Sequence, residues 1–171
     1  MKDCIIHNYD NFDVRICELS HTGNTLPYET VIRQPCVIII PIIEDNVIMI
    51  SEYRAAIGQW ICQFPSGKIN SEINEFPGSA ARRELLEETG YQAEECVYAG
   101  CFFTAPHFSD ELFHIFIART LTKQAQNPTK RELIQVKSVK LSDIENILFC
   151  QEGIDAKTVT AYYTWKRGFT R

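Results

Sequence analysis

The sequence has little of what marks several large classes of protein. Its seven cysteines include no Cys-x-x-Cys pair, and its four histidines do not cluster at zinc-binding spacing, so neither a zinc ribbon nor a dithiol redox motif is expected. The longest apolar run, Cys36–Ile43, is far shorter than the roughly 20 residues that span a bilayer. The opening MKDCIIHNYD has no long apolar stretch of the secretory kind. Basic residues are outnumbered, 17 against 22 acidic, and the net charge of −5 disfavours a nonspecific nucleic-acid binder, which would carry a basic stripe. Internal repeats and low-complexity tracts are also missing.

What remains is ordinary globular material. A length of 171 residues allows one domain, or one domain with an extension, and a hydrophobic fraction of 45% suffices for a real core. Most of the cysteines fall inside apolar runs, where a free thiol behaves as a small buried hydrophobe. Their odd number and the lack of a signal-like start predict a reducing, cytoplasmic setting. No membrane and no nucleic-acid partner is expected.

Along the chain, β signals dominate. Val14–Leu19 alternates apolar and polar residues, HTGNT at 21–25 has a Gly23-Asn24 corner, and Tyr28–Arg33 begins another strand. Residues 1–33 thus read as a strand segment, either an edge hairpin or an arm that pairs with a second chain. Cys36–Ile43 (CVIIIPII) is a β-branched run of the kind buried on both faces, and Val47–Ser51 returns from the Glu44-Asp45-Asn46 turn. Arg54 follows that strand; its planar fork suits a phosphate. Gly58–Phe64 is a further strand with Trp60 expected inside, Pro65–Lys68 a tight turn, and Ile69–Glu75 a loop. Later, Cys96–Thr104, Leu112–Arg119 and Glu132–Leu141 read as strands, with a polar connection over Leu121–Lys130. Ser142–Cys150 starts with Ser-Asp cap chemistry, and Asp155 caps a last helix whose apolar side holds Val159, Tyr162, Tyr163 and Trp165.

The most informative stretch is Phe76–Tyr91, FPGSAARRELLEETGY. Pro77 and Gly78 suit a helix start, and Gly90 suits its left-handed end. Glu84, Glu87 and Glu88 stand at i, i+3 and i+4, so three like charges share one face and repel by a few tenths of a kcal/mol per pair, roughly. Such a face is either merely solvated, with Arg82 and Arg83 compensating, or a site for a hard cation that takes oxygen ligands.

The flanking residues resolve this. Gly67, Glu75, Arg83-Glu84-Leu85, Glu87-Glu88 and Gly90-Tyr91 together resemble the Nudix hydrolase box, and from Glu75 onward the spacing agrees position by position. Seven residues separate Gly67 from Glu75 where the family has five, so the loop before the helix is longer by two. Beyond the box, Ser51–Arg54 resembles the QYR segment of the ADP-ribose pyrophosphatase branch, and Gln63–Lys68 resembles its ELPAGK, with Gln63 where Glu is usual. Ala105–Glu111 (APHFSDE) is similar to its SPGFSDE loop with His107 in place of Gly, Pro106 is at the place of its marker proline, and Gly153–Thr158 is similar to its EIxDAKT helix start.

The resemblance implies an α/β fold with a mixed β-sheet between helices, in which residues 34–171 form the hydrolase domain and residues 1–33 serve a homodimer. It implies Mg²⁺, with Mn²⁺ as a substitute, held by Glu84, Glu88, Glu87 and the backbone carbonyl of Ser66. Arg83 pairs with Glu75, Arg54 and Phe108 touch the substrate, and the base is Glu111 or Glu87. The implied substrate is a nucleotide sugar: ADP-ribose, giving AMP and ribose 5-phosphate. Alternatives are another nucleoside diphosphate sugar, or a Nudix domain that senses a nucleotide without cleaving it.

Overall fold

The computed structural model describes residues 3–9, 11–21, 24–125, 133–150 and 153–168. Its first three strands, β1 (Asp3–Asn8), β2 (Asp13–His21) and β3 (Asn24–Ile32), make an antiparallel sheet of their own. Alternation in VRICEL lies within β2, as expected; Gly23 of the predicted corner lies outside the described residues.

The second sheet is built around β4 (Cys36–Ile43). Cys36, Ile38 and Ile40 point into one core and Val37 and Ile39 into another, which is why the run has no polar alternation. Each fully buried Ile contributes about 1.5–3 kcal/mol relative to exposure. After the turn, β5 (Asn46–Arg54) pairs with β4 only at Ile42–Val47 and Ile43–Asn46, then diverges to pair with β6 (Gln59–Gln63). The first half of β4 is instead flanked by β7 (Ser66–Lys68), antiparallel, and by β9 (Leu112–Lys123), parallel. β8 (Tyr91–Phe103) pairs with β9 and β10 (Ile134–Lys140) with β5, giving the order β10-β5-β4-β9-β8.

Helices cover both faces. α1 (Pro77–Thr89) buries Ala80, Ala81 and Leu85 against Val37, Ile39 and Phe116. On the other face, α2 (Ile144–Phe149) and α3 (Ala156–Gly168) place Ile144, Leu148, Ala161, Tyr162 and Trp165 against Ile38, Met49 and Ile115. This is the mixed sheet between helices that the sequence implied, with the N-terminal strands beside it.

Several local expectations change. Pro65–Lys68 is not a free turn: its last three residues are β7, hydrogen-bonded along Cys36–Ile38. β5 continues past Ser51, so Arg54 is its last residue and not a residue beyond it. Trp60, expected inside, is 45% exposed and meets Tyr53 edge-on at 5.9 Å. On α3 the buried face is Thr158, Ala161, Tyr162 and Trp165, an i, i+3, i+4, i+7 set that turns Tyr163 outward. Asp155 does cap α3, accepting the Thr158 N–H at 2.8 Å, whereas α2 begins from a 3-10 turn without a side-chain cap bond. Residues 126–130 of the predicted polar connection lie outside the described residues.

Candidate active site

α1 starts with Pro77 at its first turn and ends at Gly90, whose φ of +71° is the left-handed conformation that glycine adopts without strain. Its apolar face is fixed on the sheet, which turns Glu84 and Glu88 toward β7. Both are buried, Glu88 at 2% exposure. The Glu88 carboxylate accepts the Ser66 N–H at 2.9 Å. Gly67 passes so close to Glu84 that a Cβ there would lie 1.9 Å from its Cδ, so the backbone of β7 and the acidic face of α1 form one cradle.

Arg83 holds this face together. Its Nε and Nη2 donate to the two oxygens of Glu75 at 2.9 Å each, its Nη1 to Glu84 at 2.6 Å and Glu87 at 3.2 Å, and Nη2 also to the Lys68 carbonyl at 2.9 Å. The bidentate Arg83–Glu75 pair is the one the sequence implied. The guanidinium hydrogen bonds hold the Glu75 carboxyl below the usual range, and the bond to Glu75 first, then Glu84, raises the affinity of Arg83 for its proton. Arg83 thus offsets two of the three like charges on this face, Glu84 and Glu87, and the third, Glu88, accepts the Ser66 N–H.

A cavity of about 380 Å³ opens beside this cradle, and Glu52, Arg54, Arg33, Glu111, Cys36 and Lys157 line its remaining walls. Arg54 Nη1 pairs with Glu52 at 2.9 Å. Glu111 is buried and pairs with Arg33 Nε at 3.0 Å. The Lys157 ammonium lies 4.0 Å from Cys36 Sγ, and burial pushes that thiol's pKa up. The loop carrying Glu111 is docked on β3: Val31 N–H donates to the Phe108 carbonyl at 2.7 Å, and Arg33 N–H to Asp110 Oδ1 at 2.8 Å. Tyr28 donates its hydroxyl proton to the His107 carbonyl.

The structure therefore brings Ser66, Glu84, Glu87, Glu88, Arg54 and Glu111 to one cavity. It does not bring Phe108 there: that ring lines a neighbouring apolar cavity with Tyr28 and Phe103. His107 packs edge-on against Phe108 at 4.8 Å. Gln63 is buried at 2% exposure. Sequence reasoning missed Arg33, Glu52 and Lys157. A signal existed for one of them, because Glu52 is two residues from Arg54 on a strand and so shares its face.

The donor set suits a hard cation. It is all oxygen, from Glu84, Glu87, Glu88 and the Ser66 backbone, at a cradle that a side chain on Gly67 would fill. Among the described residues, no group of three or more His, Cys, Asp or Glu side chains is already arranged to hold a metal ion.

Residues 32–161 match the NUDIX domain family. The chain belongs to the NUDIX family. Over 120 residues it is 35% identical to the ADP-ribose pyrophosphatase of Bacillus subtilis, covering 69% of this chain and 64% of that protein. The NUDIX chain thus spans less than two thirds of that relative's length. Over 142 residues it is 34% identical to the methanol dehydrogenase activator of Bacillus methanolicus, covering 81% of this chain and 76% of the relative. A crystal structure of an ADP compounds hydrolase superposes with a TM-score of 0.86 over 98% of this chain and 91% of that one, at 23% identity. That likeness establishes the shared fold.

Proposed function

We propose that this NUDIX chain hydrolyses the pyrophosphate bond of ADP-ribose, releasing AMP and ribose 5-phosphate. The observation that carries the reading is one cavity holding the acidic face of α1 together with Arg33, Arg54, Lys157 and Glu111. The names of the Bacillus subtilis relative and of the structural neighbour point to the same substrate class. Glu84, Glu87, Glu88 and the Ser66 carbonyl would hold Mg²⁺, or Mn²⁺ in its place, which supplies charge neutralisation at the phosphates and lowers the pKa of water. Arg54 grips a substrate phosphate through its planar fork. Glu111 takes the proton of the attacking water as the bridging P–O bond breaks, with Glu87 as the alternative base. Phe108, which lines the neighbouring apolar cavity, would meet the substrate only where its organic part extends into that cavity.

In this reading residues 34–171 are the catalytic domain and residues 1–33 serve a homodimer, which light scattering on the purified protein tests. Work in the cytoplasm suits Cys17, Cys36, Cys62, Cys96, Cys101 and Cys150, which are free thiols. Among the described residues, no helix is long and apolar enough to cross a membrane.

The activity is tested with a hydrolysis panel in Mg²⁺: ADP-ribose, ADP-glucose, UDP-glucose, GDP-mannose, NADH and diadenosine polyphosphates. ADP-ribose should lead, and Glu88→Gln should lower kcat by at least about 100-fold. No AMP from ADP-ribose would sink the proposal. A second reading, another nucleoside diphosphate sugar, draws support from Gln63 and His107, two of the departures from the branch pattern in the segments nearest the cavity; it wins if another sugar nucleotide leads the panel.

A further inference from the structure

Gln63 closes a ring with two residues of the neighbouring strand. Its Nε2 donates to Glu52 Oε2 at 3.0 Å, its Oε1 accepts from Arg54 Nε at 3.2 Å, and Arg54 Nη1 pairs with Glu52 Oε1 at 2.9 Å. Gln63 and Glu52 are buried, while the Arg54 side chain stays 40% exposed and lines the carboxylate cavity. The ring needs a side chain that donates on one side and accepts on the other, and an amide does both. Only this orientation of the amide works, since the flipped one would set an NH₂ against a guanidinium and an oxygen against a carboxylate.

The charge matters as much as the shape. With a neutral Gln63, the opposite charges of Glu52 and Arg54 balance within the ring. A carboxylate at position 63 would either share a proton with Glu52 or ionise beside it. Ionised, it would pull the Arg54 guanidinium onto two carboxylates and away from a ligand. Asp155 and Lys157, from the start of α3, line the adjoining cavity with Gln63 and Arg54, and on the other side Arg33, Lys68, Arg83, Glu111, Lys157 and the carboxylates of α1 line the cavity that Glu52 and Arg54 face.

We propose that Gln63 is a positioning residue that fixes Arg54 by its Nε edge and, by staying neutral, leaves the remaining donors of Arg54 to bind substrate phosphate. For its substrate the inference rests on the pyrophosphohydrolase reading.

The test compares Gln63→Glu and Gln63→Met with wild type across pH, reading KM and kcat for ADP-ribose. In Gln63→Glu the introduced carboxyl mimics the amide while protonated. Its KM should match wild type at about pH 5.5 and exceed it about tenfold by about pH 8.5, with kcat within about twofold. Gln63→Met removes both hydrogen bonds and should raise KM about fivefold at every pH. A KM ratio flat with pH and within about twofold of unity in both variants overturns the proposal, because a merely structural residue would lower stability without moving KM. If Gln63→Glu fails to fold, the KM of Gln63→Met decides alone. Should wild type not cleave ADP-ribose, the functional reading falls by itself, and the Kd for inorganic pyrophosphate on the same proteins decides the role of Gln63 by the same pattern.

Discussion

Arg83 on α1 and Arg54 on β5 line the same cavity and are held very differently. Arg83 makes five hydrogen bonds, to three carboxylates and a backbone carbonyl. Arg54 makes one bond to a carboxylate and one to an amide, and more of its side chain is exposed. Two residues of one type thus divide into a brace and a hand. The difference lies in how many donors the protein itself satisfies, since a guanidinium offers five in a fixed fork.

The same substitution at both positions is the strongest way to break that comparison. Lysine keeps the charge and loses the fork. Arg83→Lys should lower stability by about 2 kcal/mol, read as a shifted midpoint in urea, because most of its bonds cannot be remade from a single ammonium. An unchanged midpoint would mean that the network on α1 is incidental. Arg54→Lys should leave that midpoint nearly in place and raise KM about tenfold, because what it loses is the bidentate grip on phosphate. If instead Arg54→Lys unfolds the protein and leaves KM alone, the two roles are assigned the wrong way round.

A smaller effect sharpens the brace. Arg83 holds the Glu75 carboxyl below its ordinary value of 4.5, so the folded state favours the ionised form. A depressed carboxyl contributes stability that is fully present above the unfolded pKa and is lost as pH falls through the folded one. The stability advantage of wild type over Glu75→Gln should therefore be constant near neutrality and shrink on acidification below about pH 4.5. Urea titrations at several pH values measure it. A pH-independent difference would show that Glu75 works only by shape.

How much was legible beforehand differs between these two sites. The carboxylates of α1 were readable because helix periodicity and caps are local: Pro77, Gly90 and the i, i+3, i+4 spacing fix which side chains share a face, whereas the Arg83–Glu75 pair was implied by the resemblance to the Nudix box. The β4 run was readable for a similar reason, as continuous apolar residues demand two covered faces. The wall carrying Arg54 was only half readable. Nothing local says that Gln63 faces Glu52, because their meeting depends on the register of β5 against β6, in which Ile50 pairs with Gln63. Nor does sequence say that Pro65–Lys68 would be drawn into the sheet as β7, or that Trp60, though paired with Tyr53 in the sheet, would keep its side chain exposed.

The sequence by itself determined most of the elements, the two-faced core strand and the acidic face of α1, since each follows from neighbours within one or two turns of chain. It also determined family membership, through fixed spacing around that helix. Only the tertiary structure decided which cations meet those carboxylates. Arg33, Arg54 and Lys157 come from β3's end, β5 and α3, and Phe108 is turned into a different cavity by the docking of its loop on Val31. Those meetings are set by strand pairing and loop docking between segments far apart in the chain, and the geometry they impose is what separates a brace from a ligand-binding group.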